Sequence, residues 1–208
     1  MQTTWDLPSR TRTLENAAVV LTPVGLTTDL KALYEAACPA NNDGRDLFEF
    51  HVNTPRMESP EVYGRYLAEK LRQPHEVVYQ IFSRRLGAVV GCASLMNIRQ
   101  DHGVVEVGSI WYSHRAQRTE VNTNAMYLLF CHVFDDLGYR RLEWKCNSRN
   151  EASMKAAVRL GFEWEGVFRQ HFVSRGENRD TVWYSIIDTE WPAKKTALHG
   201  LSLPRSLA

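Results

Sequence analysis

The stretch SHRAQRTEVNTNA, residues 113 to 125, lies between a strand-like run, VVEVGSIWY, and a helix-like run, MYLLFCHVF. A polar loop that opens a helix offers unpaired backbone N–H groups and the positive end of the helix dipole to an anion, typically a phosphate. Gln117, Arg118, Thr119, Glu120, Val121, Asn122 and Thr123 are the residues such an anion would meet. The backbone N–H groups of 119 to 123 are the expected donors, and His114, Arg115 and Arg118 the charged partners. The loop contains no glycine; Thr and Asn side chains stand in its place, and Asn122 tolerates a left-handed backbone. Glu120 must then point away or pair with Arg115 or Arg118, because a carboxylate and a phosphate repel. The bland alternative is a solvated turn.

Glu106 is the second residue of interest, a carboxylate in mid-strand among valines, where charge is rare. It could serve as a general base, or it could lie on an exposed sheet face. Strand alternation groups Glu106 with Gly108, Ile110 and Tyr112 on one face, and Val105, Val107, Ser109 and Trp111 on the other. Asn150 and Ser153 sit one helical turn apart on one face, with Asn150 also a natural helix cap. The aromatics Trp111, Trp144, Phe172, Trp183 and Tyr184 offer faces for an amine or a planar group, or simply core packing.

These residues need elements to hold them. AAVVLTPV (17 to 24) reads as a strand. TTDLKALYEAAC follows as a helix, capped by Thr27, Thr28 or Asp29, and SPEVYGRYLAEKLRQ as a second, with Ser59 as cap and Pro60 in the first turn. EVVYQIFS and AVVGCASLMNI form a hairpin across RRLG, and GVVEVGSIWYS adds a third strand. A helix then runs to about Leu137, with Gly138 ending it. RRLEWKCN is a strand, SRNEASMKAAVRLGF a short helix, and WEGVFRQHFVS and DTVWYSIID are two more strands. The order implies one α+β or α/β domain with a mixed sheet, spanning 15–192, after a polar arm at 1–14 and before a partly mobile tail at 193–208.

The bulk numbers narrow the partners. The chain has 208 residues, 44% hydrophobic and 24% charged, with a formal net charge of +1. That balance gives no drive toward nucleic acid or an anionic membrane. No apolar run approaches the roughly 18 residues of a membrane span, and the N-terminus lacks a signal-like core. Cys38, Cys92, Cys131 and Cys146 form no C-x-x-C pair, so no metal is expected and the thiols read as free in a reducing cytoplasm.

Three stretches in order carry a likeness: the strand–loop–helix from EVGSIWY to LEWKC, then NSRNEASMKAAVRLGFEWEGVFRQ, then GENRDTVWYSIIDTEW. The chain resembles the GCN5-related N-acetyltransferase (GNAT) superfamily, and within it the ribosomal-protein N-terminal acetyltransferase branch. The most specific part is N-x-x-S-x-x-x-A-x-x-L-G-F-x-x-E-G-x-x-R, from Asn150 to Arg169. The resemblance implies a mixed, mostly antiparallel sheet splayed between its fourth and fifth strands, here 103 to 113 and 140 to 147. Acetyl-CoA is the implied co-substrate, with no metal. Its pantetheine arm would pair with strand edges at Ile110 and Tyr112 and with Asn150, and its pyrophosphate would meet the loop 117 to 123.

The resemblance further implies direct acetyl transfer to a primary amine, on a protein N-terminus or a small molecule, with Glu106 as base and Ser153 near the leaving sulfur. The family's usual tyrosine acid is replaced by Ala157. Trp111, Trp144 and Phe172 are the implied acceptor contacts, and Arg169 and Asp180 are structural. The loop departs from the usual Q/R-x-x-G-x-G/A at Glu120 and Asn122, which leaves a non-catalytic CoA-binding sensor as the alternative. A monomer or homodimer fits either reading. The acceptor contacts are expected in the variable loops 39 to 58 and 171 to 180.

Overall fold

The computed structural model describes residues 3–25, 28–52 and 54–202. In chain order it forms β1 Leu14–Glu15, β2 Val19–Pro23, α1 Leu30–Ala37, α2 Pro60–Leu71, β3 Val77–Ser83, β4 Ala88–Arg99 and β5 Val104–Tyr112. Then follow α3 Glu120–Cys131, β6 Arg141–Asn147, α4 Glu151–Arg159, β7 Glu163–Ser174, β8 Glu177–Ile187 and α5 Trp191–Ser202. The strands make one eight-stranded sheet in the order β1-β2-β3-β4-β5-β6-β8-β7. All neighbours are antiparallel except β5 and β6. The expected α+β architecture is present; the short β1 makes the splayed strands fifth and sixth by count.

The helices begin where their caps dictate. Asp29 accepts from the N–H of Lys31 and Ala32 at α1; Ser59 accepts from Val62 ahead of Pro60 at α2. Thr27, another cap candidate, lies outside the described residues. The sheet is covered on both faces. Val105, Val107, Leu142, Tyr184 and Ile186 pack with α3 and α5 in the larger core. Val78, Cys92 and Trp111 pack with Leu33, Phe48, Tyr63 and Leu67 beneath α1 and α2 in the smaller one.

Two chain ends differ from expectation. The polar arm is docked: Trp5 is buried, its Nε1 donates to the Gly138 carbonyl at 2.6 Å, and the Tyr139 hydroxyl donates to Asp6 O. One buried aromatic outweighs the polarity of its neighbours. At the other end α5 runs through residue 192, and Trp191 and Leu198 are buried in the larger core. The residues 203–208 of the expected tail lie outside the described residues.

One irregularity sets the geometry of the centre. Along β4 and β5 the pairing passes from Cys92–Trp111 to Ser94–Gly108, so β5 carries one extra residue there. Ser109 takes it up with φ 50°, a left-handed conformation unusual for a residue with a side chain. Alternation is thereby reversed. Ile110 and Tyr112 join the face of Val105 and Val107, while Trp111 joins the opposite core. The expected grouping of Glu106 with Ile110 and Tyr112 is therefore corrected: Glu106 shares its side with Trp111.

Candidate active site

The parallel strands β5 and β6 pair at only three positions, Val104–Arg141, Val105–Leu142 and Glu106–Glu143. Beyond them β5 runs on to Tyr112 and β6 to Asn147 without pairing to each other. Their facing edges open into a cleft of about 2110 Å³, reaching from the start of α3 past the strand ends to the loop after α1. Edge N–H and C=O groups in such a gap lack strand partners, and an extended ligand backbone can supply them. Ile110, Trp111, Tyr112, Trp144, Asn150 and Ser153 all line it.

At one end stands the loop before α3. Thr119 caps the helix, accepting from Val121 N and donating to Ala116 O at 2.7 Å. Gln117 donates to the Tyr112 carbonyl at 3.0 Å. Arg118, with φ 59°, holds the left-handed position that Asn122 was expected to allow; Asn122 lies inside the helix instead. Glu120, which lines the cleft together with Arg85, pairs with that residue of the β3–β4 turn at 2.9 Å. Its partner is thus neither Arg115 nor Arg118. The Arg85 hydrogen bond holds this carboxyl below its ordinary range. His114 is likewise taken, by Asp43 at 2.6 Å.

Arg159 is the residue at this end that sequence reading missed. From the last turn of α4 its Nη1 reaches Thr123 Oγ1 at 2.6 Å, and its Nη2 reaches the Asn122 side-chain oxygen. Asn122 in turn donates to the Tyr112 hydroxyl at 3.3 Å. A guanidinium fixed by two hydrogen bonds thus sits on the first turn of α3, supplementing the dipole that favours an anion there. Burial pushes both Arg159 and the Tyr112 phenol toward their neutral forms, Arg159 downward and Tyr112 upward. The arginine gave no signal in the sequence because its role depends on α4 crossing the start of α3.

In the middle, Asn150 caps α4 by accepting from Ser153 N at 3.0 Å. Trp144 Nε1 donates to Ser153 Oγ at 3.0 Å. Indole N–H is a donor only, so the serine keeps its own hydrogen to give. Cys146 lies close by, its thiol pushed up by burial. Trp144 is both core and cleft wall, as is Trp111. Phe172 does not line the cleft; it stands half-exposed on the edge strand β7, beside Arg179 at 5.7 Å. The β7–β8 register shifts between Phe168 and Phe172.

At the far end Glu106 is buried at 6% exposure and accepts two hydrogen bonds on Oε2, from Lys145 Nζ and Asn97 Nδ2, each 2.7 Å. Lys145 also contacts Glu143 Oε2 at 2.9 Å and lies 4.1 Å from the centre of the Trp183 ring. Burial pushes Glu143 up, but Arg141 and Lys145 outweigh it and hold the carboxyl below its ordinary value. The loop after α1 closes this end. Arg175 holds Asp46 at 2.7 Å and the carbonyls of Phe48 and Thr54, and Arg179 holds the Phe50 carbonyl. The variable segments 39 to 58 and 171 to 180 are therefore joined at one wall.

From that loop His51 Nε2 lies 3.2 Å from the carbonyl of Ile110, just past the Ser109 bulge. Burial, only partly offset by this hydrogen bond, pushes the imidazole down to about 4. In the unfolded chain it titrates near 6.5. A folded pKa below the unfolded one means that the unfolded state binds the extra proton as pH falls through this window. Stability is therefore expected to drop by about 2 kcal/mol between about pH 7.5 and pH 5. Denaturant melts at the two pH values check this, and His51→Gln should flatten the difference; an unchanged slope in the variant removes His51 as its source.

Among the described residues no group of three or more His, Cys, Asp or Glu side chains is placed to hold a metal ion. None of the helices described is long and apolar enough to cross a membrane.

Comparison with known proteins agrees with this geometry. The profile of the acetyltransferase (GNAT) domain matches residues 19–163. A GCN5-related N-acetyltransferase from Brucella melitensis superposes with a TM-score of 0.90 at 34% identity, covering 98% of this chain and 90% of that one. A GNAT-family acetyltransferase structure from Chromobacterium violaceum gives 0.82 at 32%, covering 91% and 92%. A ribosomal-protein alpha-N-acetyltransferase solved with coenzyme A gives 0.72 at 20%, covering 85% and 99%, a likeness of fold. YdaF of Bacillus subtilis, a candidate ribosomal N-acetyltransferase, is 29% identical over 109 residues, 52% of this chain and 59% of its own length. With a family profile covering most of the sheet, and the splayed strands and helix-start loop in the family's order, this chain belongs to the GNAT family of acetyltransferases.

Proposed function

We propose that the chain is an acetyl-CoA-dependent N-acetyltransferase that moves an acetyl group directly to a primary amine, on a protein N-terminus or a small aminoacyl compound. The observation that carries this reading is the β5–β6 gap, which joins an anion-favouring helix start to a separate, charged pocket through one cleft. Acetyl-CoA would supply an activated thioester carbonyl and a thiol leaving group. The residues present suit it. The backbone N–H groups at 119–123 and Arg159 favour its phosphates, with Gln117, Arg118, Val121, Asn122 and Thr123 around them. Glu120 ties the loop to the β3–β4 turn through Arg85, which neutralises its charge at this edge of the cleft. The free edge of β5 at Ile110 and Tyr112, with Asn150 opposite, suits the pantetheine amides.

Glu106 takes the proton that an attacking ammonium must lose, since only a neutral amine carries a free lone pair. Ser153 donates toward the leaving sulfur. Edge N–H groups of β5 polarise the carbonyl. Trp111 and Trp144 bound the acceptor's path, and Phe172 supports Arg179 from outside the cleft. The ribosomal relatives favour a peptide acceptor, and the reaction suits the cytoplasm, where acetyl-CoA is made and used.

Titration with acetyl-CoA is expected to raise the melting temperature, and an amine panel to release thiol in step with acetylated product. A melting temperature indifferent to acetyl-CoA overturns the reading. Binding without turnover over a broad panel favours the non-catalytic sensor.

A further inference from the structure

Arg179 is 93% buried by side-chain neighbours and loop, with 7% relative exposure, yet it lines the cleft. Its single hydrogen bond among the described residues runs from Nη1 to the Phe50 carbonyl at 3.2 Å. Its Nε is fully buried with no partner. No carboxylate among the described residues pairs with it, although the other arginines of this wall and of β6 are matched: Arg175 with Asp46, and Arg141 with Glu143 and Glu165. A buried guanidinium left without an anion is costly. The sheet face explains where it points. Arg179, Thr181, Trp183 and Ser185 alternate on the side of Lys145 and Glu106, opposite Val182, Tyr184 and Ile186 of the larger core.

Arg179 and Glu106 feel each other's charge, but no ion pair within 4.0 Å joins them. The cleft is thus lined on one side of the sheet by Arg179 and by Glu106, the latter held by Lys145, an arrangement that suits a zwitterion. We propose that Arg179 is the carboxylate receptor of the acceptor pocket, so that the preferred acceptor is an amine carrying a carboxylate a few bonds away. A free amino acid and a peptide N-terminus followed by an acidic side chain share this chemistry. The guanidinium fork matches a carboxylate with two parallel N–H donors, while the amine faces Glu106. This inference rests on the amine-acetylating reading for its chemistry but not for its binding test.

The test is calorimetric titration of the CoA-loaded protein with matched pairs in which the amide member has no carboxylate left: alanine and alaninamide, then the C-terminally amidated dipeptides Ala-Asp-NH2 and Ala-Asn-NH2. Binding of the acid over its amide by about 100-fold is expected in whichever pair is the true source. Arg179→Gln should abolish that ratio, and Arg179→Lys should keep part of it, which separates lost recognition from lost folding. Equal affinity for acid and amide in both pairs overturns the proposal. So does rapid acetylation of the amides, which would leave the acetyltransferase reading intact. Acid-selective binding without transfer to any amine would instead keep the receptor and overturn the proposed activity.

Discussion

Replacing Gly91 by Ala is expected to lower the melting temperature by about 10 °C or more. Gly91 lies on β4 opposite Tyr112, where the bulged β5 presses closest. A Cβ there would stand 2.4 Å from the Trp111 carbonyl oxygen and 2.9 Å from Tyr112 Cδ1. The nearer atom is backbone, so no rotamer change relieves the overlap. The strands must part, and the Cys92–Trp111 and Gly91–Tyr112 pairs part with them. Overpacking a core typically costs about 1–3 kcal/mol, and a clash with a strand backbone belongs at or above the top of that range, about 3–4 kcal/mol. Thermal and urea melts measure it. A melting temperature within about 2 °C of the parent would mean that β5 has room the geometry denies. The same substitution should loosen the cleft, because Ile110 and Tyr112 form its edge directly after the bulge.

The second large effect concerns rate. Glu106→Gln is expected to lower kcat by about 10²–10⁴-fold while leaving the acetyl-CoA melting shift unchanged. The amide keeps the shape and can still accept from Asn97 or Lys145, but it cannot take a proton. Lys145 retains Glu143 at 2.9 Å, so the neighbouring charge is not stranded and the fold should hold. Steady-state kinetics with a saturating amine reads the effect. A kcat within about threefold of the parent removes Glu106 from the proton path. A matching loss of acetyl-CoA binding would make its role structural.

Much of this arrangement was legible in the sequence. Ser59 before Pro60 and Asp29 before Leu30 mark helix starts that the structure keeps, because capping is chemistry between near neighbours. The strands 76 to 113 are readable from their β-branched runs and turns. What escaped reading depends on contacts between distant segments. The bulge at Ser109 leaves no local mark, since VVEVGSIWY alternates as well with an extra residue as without one. Arg85 is 35 residues from Glu120 in the chain, and nothing local names it as the partner. Arg159 and Arg179 carry no local signal; only the fold brings one onto α3 and buries the other. Trp5 looked like part of a polar arm for the same reason.

The anchoring of the loop after α1 has a practical side. Its ties run to Arg175 and Arg179 on the β7–β8 hairpin and, through His51, to Ile110. The helix start at Thr119 rests on a different set, Arg85, Gln117 and Arg159. Asn42 and Asp43, at the start of the same loop, do cross to the other end, both through His114, so the part free to vary begins beyond them. For an engineer this divides the enzyme into a fixed chassis and an exchangeable head. A library confined to 45–52 and 175–179 would search acceptor preference while leaving the donor end as it is.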